Sequence, residues 1–300
     1  MYIITHRAIF YTISAILIAV SIAALAMWGL NLGIDFKGGA LLEVNYADIL
    51  PEKTDIEKIL APVDAYASVR PAGETGYLIR LREITEDEHR ALLTALSSGG
   101  AHAATEVRFD SIGPLLGKEA ALKSLLAIAL VIICIVLFIT YAFRKVSEPV
   151  SSWKYGIITI VALLHDVFIP VGVFAYLGHF AGVEIDTLFV TALLVVLGFS
   201  VHDTIVVFDR VRENLRLNHT EHLQKPFEQV VGESISATLG RSINTSLTTV
   251  IALVVLYFIG PVSTQYFSLA LIIGIIAGTY SSICIASPLL VTVEKWRNRS

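Results

Sequence analysis

The apolar positions of this chain gather into six long runs, at about residues 8–30, 122–143, 155–177, 185–208, 243–259 and 266–293. A hydrocarbon core about 30 Å thick takes roughly 20 apolar residues of helix, so each run predicts a membrane-spanning helix. The fifth is the weakest, because Ser, Thr and Asn crowd its first half. The first is longer than the apolar stretch of a signal peptide, and no small-x-small cleavage pattern follows it. That predicts a retained span.

Residues 31–118 break the pattern. ALLEVNY (40–46) alternates apolar and polar positions, the period of a strand. Thr54-Asp55-Ile56-Glu57 predicts a capping box that opens a short helix. Residues 66–70 and 77–82 read as strands, with Pro71 and Gly73 as turn residues between them. Thr85-Glu86-Asp87-Glu88 predicts a second capping box, opening a helix to about Ser98 that Gly99-Gly100 ends. Residues 105–112 read as a last strand. The order βαββαβ predicts a ferredoxin-like α+β domain, with Leu92, Leu93 and Leu96 packed on its sheet. It offers no nucleophile beside a base and no metal-ligand spacing, and His89 and His102 read as surface residues. A partner contact or a movement suits this domain better than chemistry.

Composition agrees with the pattern. The chain is 55% hydrophobic and 16% charged, with a mean hydropathy of +0.72, which fits a polytopic α-helical membrane protein. Its net charge of −4 and the lack of a basic domain leave no footprint for nucleic acid. Cys134 and Cys284 fall inside apolar runs and read as packing residues, not as a disulfide or a metal site. Charge also orients the spans. Twelve of the 22 Lys and Arg residues fall in the N-terminus, the two connections around 144–154 and 209–241, and the C-terminus. The connections near 178–184 and 260–265 hold none. The positive-inside rule then predicts that both termini are cytoplasmic.

Three places put ionisable or polar groups inside these spans, where they are expensive and functional by default. In ALLHD (162–166), His165 and Asp166 lie mid-span, and Pro170 cannot donate to the Asp166 carbonyl, which predicts a kinked or locally open helix. A buried pair that only bonds neighbouring helices explains these two residues equally well. In GFSVHDTIVVFDRVREN (198–214), Ser200, Asp203 and Thr204 share one helix face; an edge-of-membrane position is the ordinary alternative for Asp203. His202 points elsewhere. In RSINTSLTT (241–249), Arg241, Asn244, Thr245 and Thr248 form a polar stripe that must face helices or water rather than acyl chains. A snorkelling anchor competes as the reading of Arg241. A carboxylate, an arginine and hydroxyls on neighbouring helices could load and release protons, since desolvation and a nearby cation pull opposite ways on a carboxyl group. Each charge crossing the membrane supplies about 2.3 kcal/mol per 100 mV. No Walker A pattern points to ATP instead. In the last span, Gly274 and Gly278 form a GxxxG that favours close helix packing. Residues 208–236 are charged and predict one or two surface helices around Pro226.

At these residues the chain resembles the SecF branch of the SecD/SecF family of protein-export membrane proteins, within the resistance–nodulation–division superfamily. The likeness rests on NLGIDFKGG (31–39), FDSIGPLLG (109–117) and GFSVHDTIVVFDRVREN, with ALLHD and RSINTSLTT in support. It implies a six-span (1+5) protein in the bacterial cytoplasmic membrane, divided into 1–30, an extracytoplasmic domain at 31–118, and 119–300 with a cytoplasmic loop at 209–240. It implies a non-enzymatic auxiliary subunit that pairs with SecD, associates with the SecYEG channel, and uses the proton motive force to promote preprotein export. YajC, YidC and membrane lipids are candidate neighbours, and no cofactor or metal is implied. Asp203 matches the family's proton-pathway aspartate and Arg241 its membrane arginine. Asp166 matches an acidic position of unassigned role, and Thr245 and Thr248 are candidate relays beside Asp203. Ile34, Asp35, Gly38 and Gly39 would form the joint between the first span and the small domain, where glycine allows a tight, mobile backbone. The chain is expected to be complete.

Two other readings compete. A proton-driven exporter of small molecules or lipids from the same superfamily would carry much larger extracytoplasmic domains. A purely structural subunit would use its membrane charges only to fix helix pairing.

Overall fold

The computed structural model describes residues 2–47, 50–97, 103–144 and 151–297. The chain divides into two units, residues 32–125, and residues 1–31 with 126–300.

The smaller unit begins with a short helix, α3 (Ile34–Lys37), after α1 (Tyr2–Thr5) and α2 (Arg7–Trp28) of the larger one. It continues through β1 (Gly39–Tyr46), α4 (Lys53–Leu60), β2 (Ser68–Ala72), β3 (Gly76–Leu81), α5 (Glu86–Leu96) and β4 (Ala104–Ile112). The strands pair antiparallel in the order β2-β3-β1-β4, the ferredoxin-like arrangement that the order of elements predicts. Alternation sets its core: Ala40, Leu42, Val44 and Tyr46 turn to one face of β1 and meet Ile56 and Leu60 of α4 and Leu92 and Leu96 of α5. Leu93 packs against this cluster while partly exposed.

Details differ from the sequence expectation for local reasons. Thr85 and Glu88 do form a reciprocal capping box. The first helix instead starts at Lys53 with Glu52 as its cap and no side-chain capping bond. Pro71 lies inside β2, which is an edge strand and tolerates a missing donor, so the turn falls after it, with Gly73 at φ +66°. His89 is buried, not a surface residue, because it precedes Leu92 by three positions on the inward face of α5. Its ring stacks on Phe109 at 3.8 Å, and its Nε2 lies 3.1 Å from a Glu106 carboxylate oxygen. His102 and Gly99-Gly100 lie outside the described residues.

The larger unit supplies the membrane helices. Among the described residues six helices are long and apolar enough to span: α2, α6 (Pro114–Ala142), α7 (Ser152–Phe180), α8 (Thr187–Thr220), α9 (Phe227–Ile259), and a last span at Val262–Trp296. That last span is α10 (Val262–Ser281), a π-helical turn at Ser282–Ala286, and α11 (Ser287–Arg297). The chain is thus a multi-pass membrane protein. α7 is unbroken across Pro170. The charged segment after 208 is helical on both sides of Pro226, as expected, but as continuations of two spans: α8 runs on to Thr220, and α9 starts directly after Pro226. The GxxxG works as expected, since a Cβ on Gly274 would stand 2.2 Å from Val196 and one on Gly278 2.9 Å from Ser200. α10 and α8 therefore touch through backbone. Cys284 is buried as expected of a packing residue, whereas Cys134 is exposed on α6.

Candidate functional site

The close approach of α8 and α10 brings small hydroxyl side chains onto α8's polar face. Ser200, Asp203 and Thr204 occupy that face at i, i+3 and i+4, and all three are at most 2% exposed. Asp203 is therefore not at a wetted edge of the bundle. His202, one residue earlier, is exposed.

Asp166 of α7 is fully buried, and three side chains hold it. His165 Nδ1 lies 2.8 Å from Oδ1. Ser200 of α8 and Ser281 of α10 donate to Oδ2 at 2.5 and 2.8 Å. One carboxylate thus fastens three helices. His165 Nε2 is buried with no hydrogen-bond partner.

Asp203 is held differently. Thr279 of α10 donates to its Oδ2 at 3.3 Å, and Ser246 of α9 at 3.5 Å. The two hydroxyls are 2.5 Å apart, and with one hydrogen each they can bond each other only when one of them gives up the carboxylate. Ser242, one turn before Ser246, is 1% exposed and faces the same carboxylate. One residue further along α8, Thr204 shares a hydrogen bond with Ser282, whose hydroxyl also reaches the Ser200 carbonyl at 3.2 Å. Ser282 opens the π-turn, and the Ser287 hydroxyl caps its carbonyl at 2.8 Å. Single π-turns of this kind are found inside helices at functional sites.

The fifth-span stripe does not join this cluster. Arg241, Asn244, Thr245 and Thr248 are exposed on α9. Among the described residues Arg241 makes no hydrogen bond or ion pair with Asp203. Thr245 and Thr248 donate back to the carbonyls of Arg241 and Thr245, at 2.9 and 2.8 Å. The expectation that these residues surround Asp203 has the wrong helical phase. At about 100° per residue, the inward face belongs to Ser242 and Ser246. Those two, with Thr279, Ser281 and Ser282, are what sequence reasoning missed. The signal was present: TYSSICIAS (279–287) places four hydroxyl side chains besides a tyrosine in nine residues of an otherwise apolar span.

Gly38 and Gly39 have φ of +81° and +123°. A Cβ on Gly38 would stand 2.7 Å from Pro114 Cα, and one on Gly39 2.7 Å from the Leu81 carbonyl. Gly117 approaches the backbone of Phe36 and Gly38 equally closely. The glycines are thus required by close contact and positive φ. Ile34 is buried beside them, and Asp35 lies in the first turn of α3.

Comparison with known proteins follows the same landmarks. The family model for the protein export membrane protein SecD/SecF, C-terminal, matches residues 93–296, and that for the SecD/SecF GG motif matches residues 24–47. The chain is 43% identical to the protein translocase subunit SecF of Thermobaculum terrenum, over 99% of this chain and 94% of that one. It is 38% identical to the SecF subunit of Anaerolinea thermophila, over 99% and 96%. The crystal structure of SecDF from Thermus thermophilus, described as a translocon-associated membrane protein, superposes with a TM-score of 0.83 at 28% identity. The match covers 99% of this chain and 39% of that longer one.

Proposed function

Since the chain belongs to the SecD/SecF family of protein-export membrane proteins, we propose that it acts in the Sec pathway beside a SecD protein. In this reading the pair draws on the proton motive force to promote preprotein export through SecYEG. Both termini face the cytoplasm, and the ferredoxin-like domain lies outside.

One observation carries the choice of Asp203 as the proton-carrying group: among the described residues the hydrogen bonds to its carboxylate come from hydroxyls. A hydroxyl both donates and accepts, so Ser246 and Thr279 can bond the carboxylate and the carboxylic acid alike. A lysine or arginine in their place could only donate and would favour the anion. Asp203 can therefore change protonation without losing its seat, while the balance of packing around it shifts. Asp166, with an imidazole and two short hydroxyl bonds, suits the complementary role of a fixed anchor next to the carrier.

The exposed stripe of α9 supports the partnership. An arginine and an asparagine in a span cannot face acyl chains without heavy cost, so this face meets a partner helix. There Arg241, Thr245 and Thr248 bond the partner rather than Asp203. The Gly38-Gly39 segment, with Ile34 and Asp35, forms the joint between the first span and the small domain.

The test is export of a preprotein into membrane vesicles with and without a proton gradient, using Asp203→Asn co-expressed with the SecD-like partner. Normal recovery of the pair with loss of the gradient-dependent share of export is the expected result. Unchanged export would overturn the assignment. Lost assembly would favour a purely structural role.

A further inference from the structure

The three spans that surround Asp203 share a second feature nearer the ends that the proposed topology places in the cytoplasm. Val207 and Val211 of α8 follow Asp203 by four and eight residues, on its face of the helix. Ile235 and Val231 of α9 precede Ser242 by seven and eleven residues, again on one face at 3.6 residues per turn. Ile283 of the last span follows Thr279 by four. These five side chains are at most 5% exposed and belong to one apolar cluster, which the fully buried Ile4 of α1 completes. We propose that α1 is a movable seal, with Ile4 as its plug, between Asp203 and the cytoplasm.

The layer is suited to stopping water. It runs about 12 Å along α8 from Asp203 to Val211, at 1.5 Å per residue. A buried water needs two to four polar partners, and valine and isoleucine side chains supply none. A carrier that exchanges protons with one side of the membrane at a time needs the other side shut, and this layer lies on the inner side. That role rests on the reading of Asp203 as the proton carrier; the packing of the seal does not.

Ile4 is the member free to move. The other buried residues of the cluster belong to long spans, whereas α1 is a single turn (Tyr2–Thr5). One turn has little helical stability of its own, and its first residue, Tyr2, is exposed. A hollow of about 260 Å³ lies between α1 and α9, against Tyr2, Ile3, Gly232 and Ser236, and leaves the turn room to shift. A latch holds it in place. Arg7 Nη1 donates to the Ile4 carbonyl at 3.1 Å and to the Glu228 carboxylate of α9 at 2.9 Å, and Lys295 of α11 pairs with the same carboxylate. These ion pairs are partly exposed, so water readily replaces them when the latch opens.

The test uses the chain with its SecD-like partner, carrying Cys134→Ser, Cys284→Ala and Val207→Cys, in inverted vesicles whose cytoplasmic face is outward. A membrane-impermeant thiol reagent added outside is expected to label position 207 slowly, and several-fold faster once Ile4→Ala is added. Equal labelling with and without Ile4→Ala overturns the proposal. A second variant keeps Ile4, so that it answers the question should Ile4→Ala fail to fold. In it, Tyr2→Cys and Ser236→Cys, both beside the hollow, are joined by a reducible cross-linker in the Cys134→Ser, Cys284→Ala chain. The locked chain is expected to lose gradient-dependent export and to regain it on reduction. Export indifferent to the lock shows that α1 does not move, and overturns the proposal as well. Labelling needs no transport, so its result stands apart from whether Asp203→Asn shows Asp203 to carry protons.

Discussion

Asp166 and Asp203 lie on neighbouring spans, both within 2% of full burial, and the protein holds them by opposite means. Asp166 draws an imidazole and two hydroxyls from three helices into bonds of 2.5–2.8 Å. Asp203 has two hydroxyls at 3.3 and 3.5 Å that also lie within bonding distance of each other and so compete for it. The first arrangement is costly to disturb, because removing the carboxylate strands three polar groups in a dry interior. The second loses little when its acceptor changes charge. Burial alone does not separate the two carboxylates; the type and length of their bonds do.

The largest expected effect comes from breaking the anchor. Asp166→Leu leaves His165, Ser200 and Ser281 without their acceptor, and should cost on the order of 2–4 kcal/mol. It would appear as a lower thermal unfolding temperature and poor recovery of the purified protein. Equal stability loss from Asp203→Asn would erase the contrast. Next comes Gly278→Ala, whose new Cβ would meet Ser200 at 2.9 Å and should cost about 1–3 kcal/mol by overpacking. Ser200 serves both the close contact and Asp166, so Gly278→Ala and Asp166→Leu should combine non-additively in a double-mutant cycle. Additive costs would mean that helix contact and anchor are independent. Smaller still is Asp203→Asn, where the amide oxygen still accepts from both hydroxyls. Its stability should stay within about 1 kcal/mol of the parent by the same thermal measurement.

The sequence made the fold legible and only half of this contrast. Long apolar runs report spans, because lipid admits few other solutions, and period-two alternation reports β1 through its buried Ala40, Leu42, Val44 and Tyr46. Asp203 and Asp166 stand out as carboxylates in apolar runs. Their partners do not, because serine and threonine are tolerated throughout membrane helices and reveal nothing until helical phase is known. Arg241 and Thr245 drew attention by polarity, while Ser242 and Ser246, one residue away from each, face the site. A shift of about 100° per residue separates the two readings, and only packing fixes it. His89 was misplaced for the same reason: its chemistry reads as surface, but its spacing to Leu92 puts it inside.

The smallest expected effect sharpens the comparison from outside the membrane. Glu88 caps α5 from an exposed position. Its side chain accepts from Arg82 and from the Thr85 backbone N–H, and these hold its carboxyl down to about 2, against an ordinary value of 4.5. A folded value below the unfolded one contributes stability that is complete above about 4.5 and fades as pH falls toward 2. Hydrogen exchange of the α5 amides in the intact chain should therefore quicken over that window, and Glu88→Gln should remove the acid-dependent part of the change. The effect should be slight and weaken with salt, since both partners are hydrated. Asp166, bonded to neutral hydroxyls and an imidazole away from solvent, should show no such salt dependence in its contribution to thermal stability. Equal salt sensitivity at the two sites would mean that water reaches the membrane anchor.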